Sequence, residues 1–230
     1  MLTATSLEQR IAAVRTEVAA AAERSGRHPG AVTLIAVSKT VDRAAVDAAY
    51  ALGVRHFGEN RVQDALAKFT APLPEDGVLH LIGQLQSNKA RSAAALFHVI
   101  ESVDRLSLVD ALEKAAAAQD QTLPVLLQVN VAREPQKAGC APEDAAALAT
   151  RIHASLHLSL RGLMTIAPLV ADPEETRPVF AGLRALRDQL LQTDPSLDLP
   201  LLSMGMSNDY PIAIAEGATH VRVGRAIFGG

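Results

Sequence analysis

Lys39 is the residue whose type and position point most directly to covalent chemistry. It follows a short apolar run, TLIAVS at 33–38, along which side chains alternate between two faces, so that Ile35, Val37 and Lys39 share one face. If the two apolar residues fill an interior, we expect Lys39 to emerge above them in an apolar pocket. Burial favours the neutral amine, and only the neutral amine attacks an aldehyde. The alternative is a surface lysine with a covered stem.

Two glycine-containing turns near the C-terminus have the composition of a phosphate site. They are SMGMSND at 203–209 and GRAIFG at 224–229. Ser207 stands where we expect a helix N-cap, and Gly224 would let an anion approach the free N–H groups at the start of a helix. Ser207 adds a hydroxyl donor, and Arg225 would add charge. The alternative is a pair of ordinary strand-to-helix turns, one of them capped by serine.

Arg222 places a cation in a segment that is otherwise apolar. In HVRV at 220–223 it shares a face with His220, and a cation inside a barrel rim needs a partner. One attested partner of arginine is the pyridine nitrogen of pyridoxal phosphate, which would then stay unprotonated and make the ring a weak electron sink. The other interpretation is a structural ion pair with Glu101 or Asp104. The residues alone do not decide between the cofactor and the ion pair.

The elements that position these residues are short strands alternating with Ala-rich helices. This alternation implies parallel strands with right-handed crossovers, and eight strands close a (β/α)₈ barrel. A doubly wound open sheet is the second choice, because the first predicted strand lacks a glycine-rich phosphate turn after it. The predicted strands are 33–38, 54–57, 78–82, 97–101, 124–130, 158–164, 200–203 and 219–223. The predicted helices include 6–25, 43–51, 59–69, 105–119, 142–154, 174–192 and 208–216.

We therefore predict one α/β domain, 1–230, in which residues 1–30 form an extra helix packed on the barrel. The active site of such a barrel lies at the C-terminal ends of its strands, where this sequence is polar and glycine-rich. Two further lysines, Lys89 and Lys137, fall on the same rim, where either would be able to hold an aldehyde transiently. The candidate binding residues are Lys39, Asn60, Met164, Ser203, Met206, Ser207, Arg222, Gly224 and Arg225.

The chain resembles the pyridoxal phosphate homeostasis protein family over nearly its whole length. The segments that carry the resemblance are AVSKT (36–40), FGENRVQDA (57–65), HLIGQLQSNK (80–89), SVDR (102–105), QVN (128–130), GLMTI (162–166), LSMGMSND (202–209) and VRVGRAIFG (221–229). The resemblance implies a barrel like the N-terminal domain of alanine racemases. It also implies pyridoxal phosphate linked to Lys39, with its phosphate near Ser207 and Gly224-Arg225 and its ring nitrogen facing Arg222. The family more often has a small hydroxyl residue at the position of Arg225.

Members of the family are thought to manage the free cofactor pool without robust catalysis, which makes a carrier and buffer the first functional hypothesis. An amino-acid racemase on the same barrel is the second, but racemisation needs acid–base groups on both faces of the cofactor. The only phenols are Tyr50, in a predicted helix, and Tyr210. The third hypothesis is a Schiff-base aldolase that uses Lys39 without a cofactor.

The composition narrows the partners and the compartment. A net charge of -3 without a basic patch argues against nucleic acid and anionic membranes. A single cysteine, Cys140, fits a reducing compartment, and neither a signal peptide nor a run of ~18 apolar residues is present. His153 and His157 are spaced as a metal pair but lack an evident third ligand. We expect a cytoplasmic monomer whose partners are pyridoxal phosphate and the apo-enzymes that receive it.

Overall fold

Eight parallel strands close into a barrel, in which each strand pairs with the next and the last pairs with the first. The computed structural model describes residues 6–229. Its strands are β1 (Thr33–Val37), β2 (His56–Glu59), β3 (Val78–Leu81), β4 (Val99–Val103), β5 (Leu123–Gln128), β6 (Leu158–Met164), β7 (Leu201–Met206) and β8 (His220–Val223). The predicted (β/α)₈ barrel is confirmed, and the open sheet is wrong.

Helices follow the strands and cover the outside of the barrel. They are α1 (Leu7–Arg24), α2 (Arg43–Ala51), α3 (Val62–Lys68), α4 (Ala90–Leu96), α5 (Leu106–Ala117), α6 (Ala145–His153), α7 (Arg177–Thr193), α8 (Tyr210–Ala215) and α9 (Arg225–Phe228). Short 3₁₀ turns precede several of them. No helix in this described part of the chain is long and apolar enough to span a membrane.

The extra N-terminal helix is confirmed, and in the structure its buried face contacts α8 and α9. Ser6 caps α1 in a reciprocal capping box with Gln9. Arg10 Nε donates a hydrogen bond of 2.6 Å to the carbonyl of Ile227 in α9. Helix α1 therefore holds α9 in place on the barrel. Residues 1–5 and 230, which the predicted domain also includes, lie outside the described residues.

The largest error in a strand boundary concerns β7, which runs to Met206 although the pattern predicted an end at residue 203. Gly205 has φ +91°, and a Cβ added there would lie 2.6 Å from the Cβ of Ala213. The pairing of β7 with β8 shifts its register between Ser203 and Met206. The glycine thus lets α8 pack against an irregular strand end, which a simple alternation pattern does not predict.

Alternation along the strands separates an outer apolar layer from a polar barrel interior. Outward residues such as Ala36, Phe57 and Val221 join the helices in one buried cluster. Ile35 is buried outside that cluster, and a Cβ added to Gly58 would lie 3.1 Å from the Cγ2 atom of Ile35, so both positions face the interior. The inward polar residues include His56, His80, Glu101, Ser203, His220 and Arg222. Bulky branched side chains usually fill such a barrel, so this interior needs a separate explanation.

Candidate functional site

A cavity of about 640 Å³ opens at the C-terminal end of the barrel, a size typical of small-molecule sites. Of the nine candidate residues, seven line it: Lys39, Asn60, Met206, Ser207, Arg222, Gly224 and Arg225. The structure does not place Met164 or Ser203 on the cavity wall. Both side chains are fully buried, Met164 at the end of β6 and Ser203 in contact with Arg222.

Lys39 reaches the cavity from the loop that follows β1. The loop starts after Val37, which is buried and lines the cavity beside it. Lys39 itself is exposed and has no hydrogen-bond or ion-pair partner among residues 6–229. The prediction that it is enclosed in an apolar pocket is wrong, because the strand ends two residues earlier and the alternation no longer directs the side chain inward. Its amine is nevertheless available to a ligand in the cavity.

A buried ion pair holds the residue immediately before Lys39. Lys68 Nζ donates to the carbonyl of Ser38 at 2.6 Å and to Glu59 Oε1 at 2.8 Å, and the Ser38 hydroxyl donates to the same carboxylate oxygen at 2.7 Å. Glu59 is fully buried and Lys68 nearly so. We call Ser38, Glu59 and Lys68 the clamp. Because it fixes both the carbonyl and the side chain of Ser38, it sets where the backbone presents Lys39.

Arg222, on β8 next to β1, is fixed by hydrogen bonds from both of its terminal nitrogens. Nη1 donates to the Ser203 hydroxyl at 2.6 Å, and Nη2 donates to the carbonyl of Thr165 at 2.7 Å. The Ser203 hydroxyl in turn donates to Glu101 Oε2 at 2.6 Å. Two ion-pair partners were predicted for Arg222. Glu101 acts on it through Ser203. The prediction of Asp104 is wrong, because Asp104 pairs with Arg105.

The same carboxylate anchors a chain of histidines deeper in the barrel. His80 Nδ1 lies 2.8 Å from Glu101 Oε1, and His80 Nε2 lies 2.9 Å from His56 Nδ1. The His220 ring lies 6.2 Å from each of the other two rings. Five polar side chains thus run in hydrogen-bonded sequence from His56 to the cavity, in the order His56, His80, Glu101, Ser203, Arg222.

Burial and charge set the protonation states along this chain. Burial lowers the pKa of His56 and of His220 to about 4, so both rings are neutral at pH 7. Burial alone would raise the pKa of Glu101, but the hydrogen bonds from His80 and Ser203 and the positive charge of Arg222 outweigh it and lower that pKa to about 2. Burial lowers the pKa of Arg222, yet a guanidinium keeps its proton in proteins. The cavity is therefore lined by a fixed cation, Arg222, which is linked through Ser203 to the carboxylate of Glu101.

The two turns that the sequence analysis assigns to a phosphate, here called the phosphate corner, both line the cavity at the ends of β7 and β8, and the predicted N-cap needs one correction. Asp209, and not Ser207, is the N-cap of α8, because β7 continues to Met206 and displaces the turn. The Ser207 side chain instead lines the cavity, and the amides of Ser207 and Asn208 have no acceptor among residues 6–229. Arg225 Nη2 donates to Asn208 Oδ1 at 3.2 Å, which joins the two turns. The corner offers several donors to one anion.

The sequence analysis missed the wall of the cavity that follows β6. Ile166, Pro168, Leu169 and Val170 line it, and Leu169 is 85% exposed. An apolar run in a loop that is expected to be polar was the available signal. A large exposed apolar side chain over a cavity is typical of a surface that covers a ligand.

Comparisons with known proteins agree with one another. A sequence model described as "Alanine racemase, N-terminal domain" matches residues 10–230. A pyridoxal phosphate homeostasis protein of Pseudomonas aeruginosa is 46% identical over 226 residues, which cover 97% of this chain and 95% of the relative. PipY of Synechococcus elongatus is 43% identical with a TM-score of 0.88, covering 97% of this chain and all of that chain. The chain belongs to the pyridoxal phosphate homeostasis protein family. PipY has also been solved with PLP bound, and that structure is 42% identical with a TM-score of 0.86.

Several residues singled out by sequence lie apart from the cavity of this family member. Lys137 is engaged by Glu134 and donates to the carbonyl of Ala167 at 3.0 Å. Cys140 is buried, and burial raises the pKa of its thiol to about 12, which makes it inert. His157 pairs with Glu113, whereas His153 contacts Ser196. Within residues 6–229 no three potential ligands cluster as a metal site would require.

Proposed function

We propose that the protein binds pyridoxal phosphate covalently as a Schiff base on Lys39 and acts as an intracellular carrier and buffer of the cofactor. The observation that carries the proposal is one cavity lined both by Lys39, which has no partner among residues 6–229, and by Arg222, which is buried and fixed. PipY, which matches 97% of this chain, has been solved with PLP bound. We infer a cytoplasmic monomer that supplies apo-enzymes.

The donors around the cavity fit the three reactive parts of this cofactor. Lys39 offers an amine for the aldehyde, and Arg222 offers a charged donor for the ring nitrogen. The free amides of Ser207 and Asn208, together with the turn at Gly224-Arg225, offer donors for the phosphate. When bound, the group supplies an aldehyde that reacts reversibly with amines. The size and the chemistry of the cavity therefore support the same ligand.

In the described part of the chain, the contacts around the cavity orient and hold the ligand. Glu101, acting through Ser203, keeps the Arg222 guanidinium in place, and the clamp positions Lys39. A protonated arginine at the ring nitrogen keeps that nitrogen unprotonated, which weakens carbanion stabilisation. The proposed ligand environment thus favours storage over racemisation.

The positions of the tyrosines also favour a carrier over a racemase. Tyr50 lies on α2 and donates to Asp76, whereas Tyr210 is buried at the start of α8. Burial raises the pKa of Tyr210. Neither phenol lines the cavity in the described part of the chain. A second acid–base group opposite Lys39, which racemisation requires, is therefore not supplied by a tyrosine of residues 6–229.

Borohydride reduction followed by peptide mapping tests the site. We expect a yellow protein whose label lies on Lys39. Lys68 provides an internal control, because the clamp already engages its amine. Label found mainly on Lys68 or Lys114 would contradict the assignment. An unlabelled and colourless protein would favour the cofactor-free aldolase.

A transfer assay with an apo-enzyme acceptor, run beside a racemase assay on alanine and serine, tests the carrier role. We expect transfer of the cofactor and no sustained turnover of either amino acid. Turnover at typical enzyme rates, roughly 1–10³ per second, would overturn the carrier proposal in favour of the racemase. Lys137→Ala should leave transfer unchanged, because Lys137 is held by Glu134 and Ala167.

A further inference from the structure

A second concavity of about 400 Å³ lies beside the cofactor cavity, between the loops that follow β2 and β3. Among residues 6–229, no acidic side chain lines it, and its polar side chains are those of Asn60, Arg61, Gln63, Gln84, Gln86 and Lys89. We call it the polar cleft. Asn60 lines both concavities, so the two share a wall. The other polar residues of the cleft do not line the cofactor cavity, and the proposed function leaves them unexplained.

The cleft holds an unusual share of unpartnered positive charge. Of the 22 lysines and arginines, most have a hydrogen-bond or ion-pair partner within residues 6–229. The five that have none are Lys39, Arg61, Lys89, Arg91 and Lys114. Two of these line the polar cleft, and a third, Lys39, lines the cofactor cavity. In the cofactor cavity we assign the unpartnered cation, Lys39, to ligand binding. The same argument assigns Arg61 and Lys89 to a ligand in the cleft.

Charge and donor type define what fits between Arg61 and Lys89. Two like charges in one concavity repel each other, and no neighbouring acid in the lining offsets them. Arginine presents a planar fork of donors and lysine a point charge, and both are frequent phosphate ligands. A phosphate monoester carries a charge of about −1.5 to −2 at pH 7, which balances the pair. A single carboxylate would leave one positive charge uncompensated.

The walls of the cleft are fixed from behind. Arg105 Nη2 donates to the carbonyl of Leu85 at 2.8 Å, while its Nη1 pairs with Asp104 at 2.6 Å. A Cβ added to Gly83 would lie 2.2 Å from the carbonyl oxygen of Asn60, so the two loops are in direct backbone contact. A preformed concavity loses little conformational freedom when a ligand binds.

We propose that the polar cleft is a second binding site, specific for a small phosphate-bearing anion, with Arg61 and Lys89 as its charged ligands. The amides of Gln63, Gln84 and Gln86 supply further donors around the anion. The site lies outside the cofactor cavity and does not depend on a covalent link at Lys39. Because Asn60 belongs to both walls, an anion in the cleft lies next to the cofactor cavity.

Titration of inorganic phosphate into the full-length, cofactor-loaded protein tests the proposal, with ³¹P line broadening or calorimetry as the readout. Loading fills the cofactor cavity, and chloride holds the ionic strength constant. We expect saturable binding that Arg61→Gln and Lys89→Gln each weaken by about tenfold, the effect of losing one charged hydrogen bond. Arg91→Gln and Lys114→Gln are the matched controls, because they remove unpartnered cations outside both concavities and should change affinity less than about twofold.

Three outcomes would overturn the proposal. They are the absence of saturable binding, equal effects of the cleft variants and their controls, and acetate binding as tight as that of phosphate. If the protein does not retain the cofactor, the same titration is made on the Ser207→Ala variant without cofactor, in which the other phosphate corner is weakened. Binding that still depends on Arg61 and Lys89 would then support the cleft although the proposed cofactor role has failed.

Discussion

The barrel interior and the rim above it both contain charged side chains, but the two regions differ in whether those charges have partners. In the interior, Glu101 accepts from His80 and Ser203, and Arg222 donates to Ser203 and Thr165. At the rim, Lys39 has no partner in the described part of the chain. Closed hydrogen bonding is what a buried charge requires, whereas an open donor beside a cavity is available to a ligand.

This difference separates residues that stabilise the fold from residues that bind. Loss of one member of the interior chain leaves other buried polar groups without partners, which costs stability whether or not a ligand is present. Loss of a rim residue leaves solvent in its place, which costs affinity alone. Arg222 belongs to both regions, because it lines the cavity while its hydrogen bonds run inward.

Glu101→Ala should produce the largest effect. It leaves His80, Ser203 and Arg222 buried without their carboxylate, and removing one partner of a buried pair costs roughly 3–5 kcal/mol of unfolding free energy. Denaturant unfolding without cofactor measures it. Lys39→Ala is the control from the rim, and it should change stability by less than about 0.5 kcal/mol. Equal losses in the two variants would remove the distinction between the regions.

A fall in pH should lower the free energy of unfolding through the buried histidines of the barrel interior. The pKa of His220 is about 4 in the folded protein and about 6.5 when unfolded, so the unfolded chain takes up the proton first as pH falls. Stability is therefore full above about pH 6.5 and declines toward pH 4, by about 3 kcal/mol for this residue. His56 adds a change of the same sign.

Unfolding free energies measured between pH 7.5 and 4.5 give the slope of stability against pH. His220→Gln should flatten it, whereas His153→Gln, at an exposed position on α6, should leave it unchanged. An unchanged slope in the His220 variant would show that other groups govern the acid response, and would contradict a neutral His220 in the folded barrel.

The sequence predicted the barrel because its signal is local. Buried parallel strands appear as short apolar runs, and the intervening helices have a different composition. Topology then places the residues after each strand on one rim, which brought seven candidates to one cavity. The predicted ends of the elements were wrong where packing between distant residues decides them. One example is the end of β7 at Gly205, whose conformation depends on contact with Tyr210 and Ala213.

The parts of the site that were missed depend on contacts between distant residues. Lys68 lies on an ordinary helical pattern, and only the fold brings it to Ser38, thirty positions earlier. The interior chain joins β2, β3, β4, β7 and β8, and polar residues at alternate positions of apolar strands were its only local signal. The apolar wall after β6 has no periodic pattern, because it lies in a loop.

The clamp lies between the two regions, and Lys68→Met sharpens the comparison there. Glu59 is buried and would lose its charged partner, which we expect to cost about 2–3 kcal/mol of unfolding free energy. The looser Ser38 should also slow the reaction of Lys39 with added pyridoxal phosphate several-fold, followed as colour formation. Lys114→Met, on α5, is the matched control. A variant as stable and as fast as that control would contradict the clamp.

Ser207→Ala should give the smallest effect and act on binding alone. The hydroxyl lines the cavity without an internal partner among the described residues, so its loss should weaken cofactor retention by ~1–2 kcal/mol and leave unfolding nearly unchanged. Arg225→Ala should cost less than about 1 kcal/mol, because the side chain is exposed and its charge is screened. Equilibrium dialysis of the cofactor measures both, with Ser196→Ala as a control distant from the cavity. If neither variant changes retention, side chains contribute nothing to the phosphate corner, and the backbone donors of Ser207 and Asn208 must hold the anion.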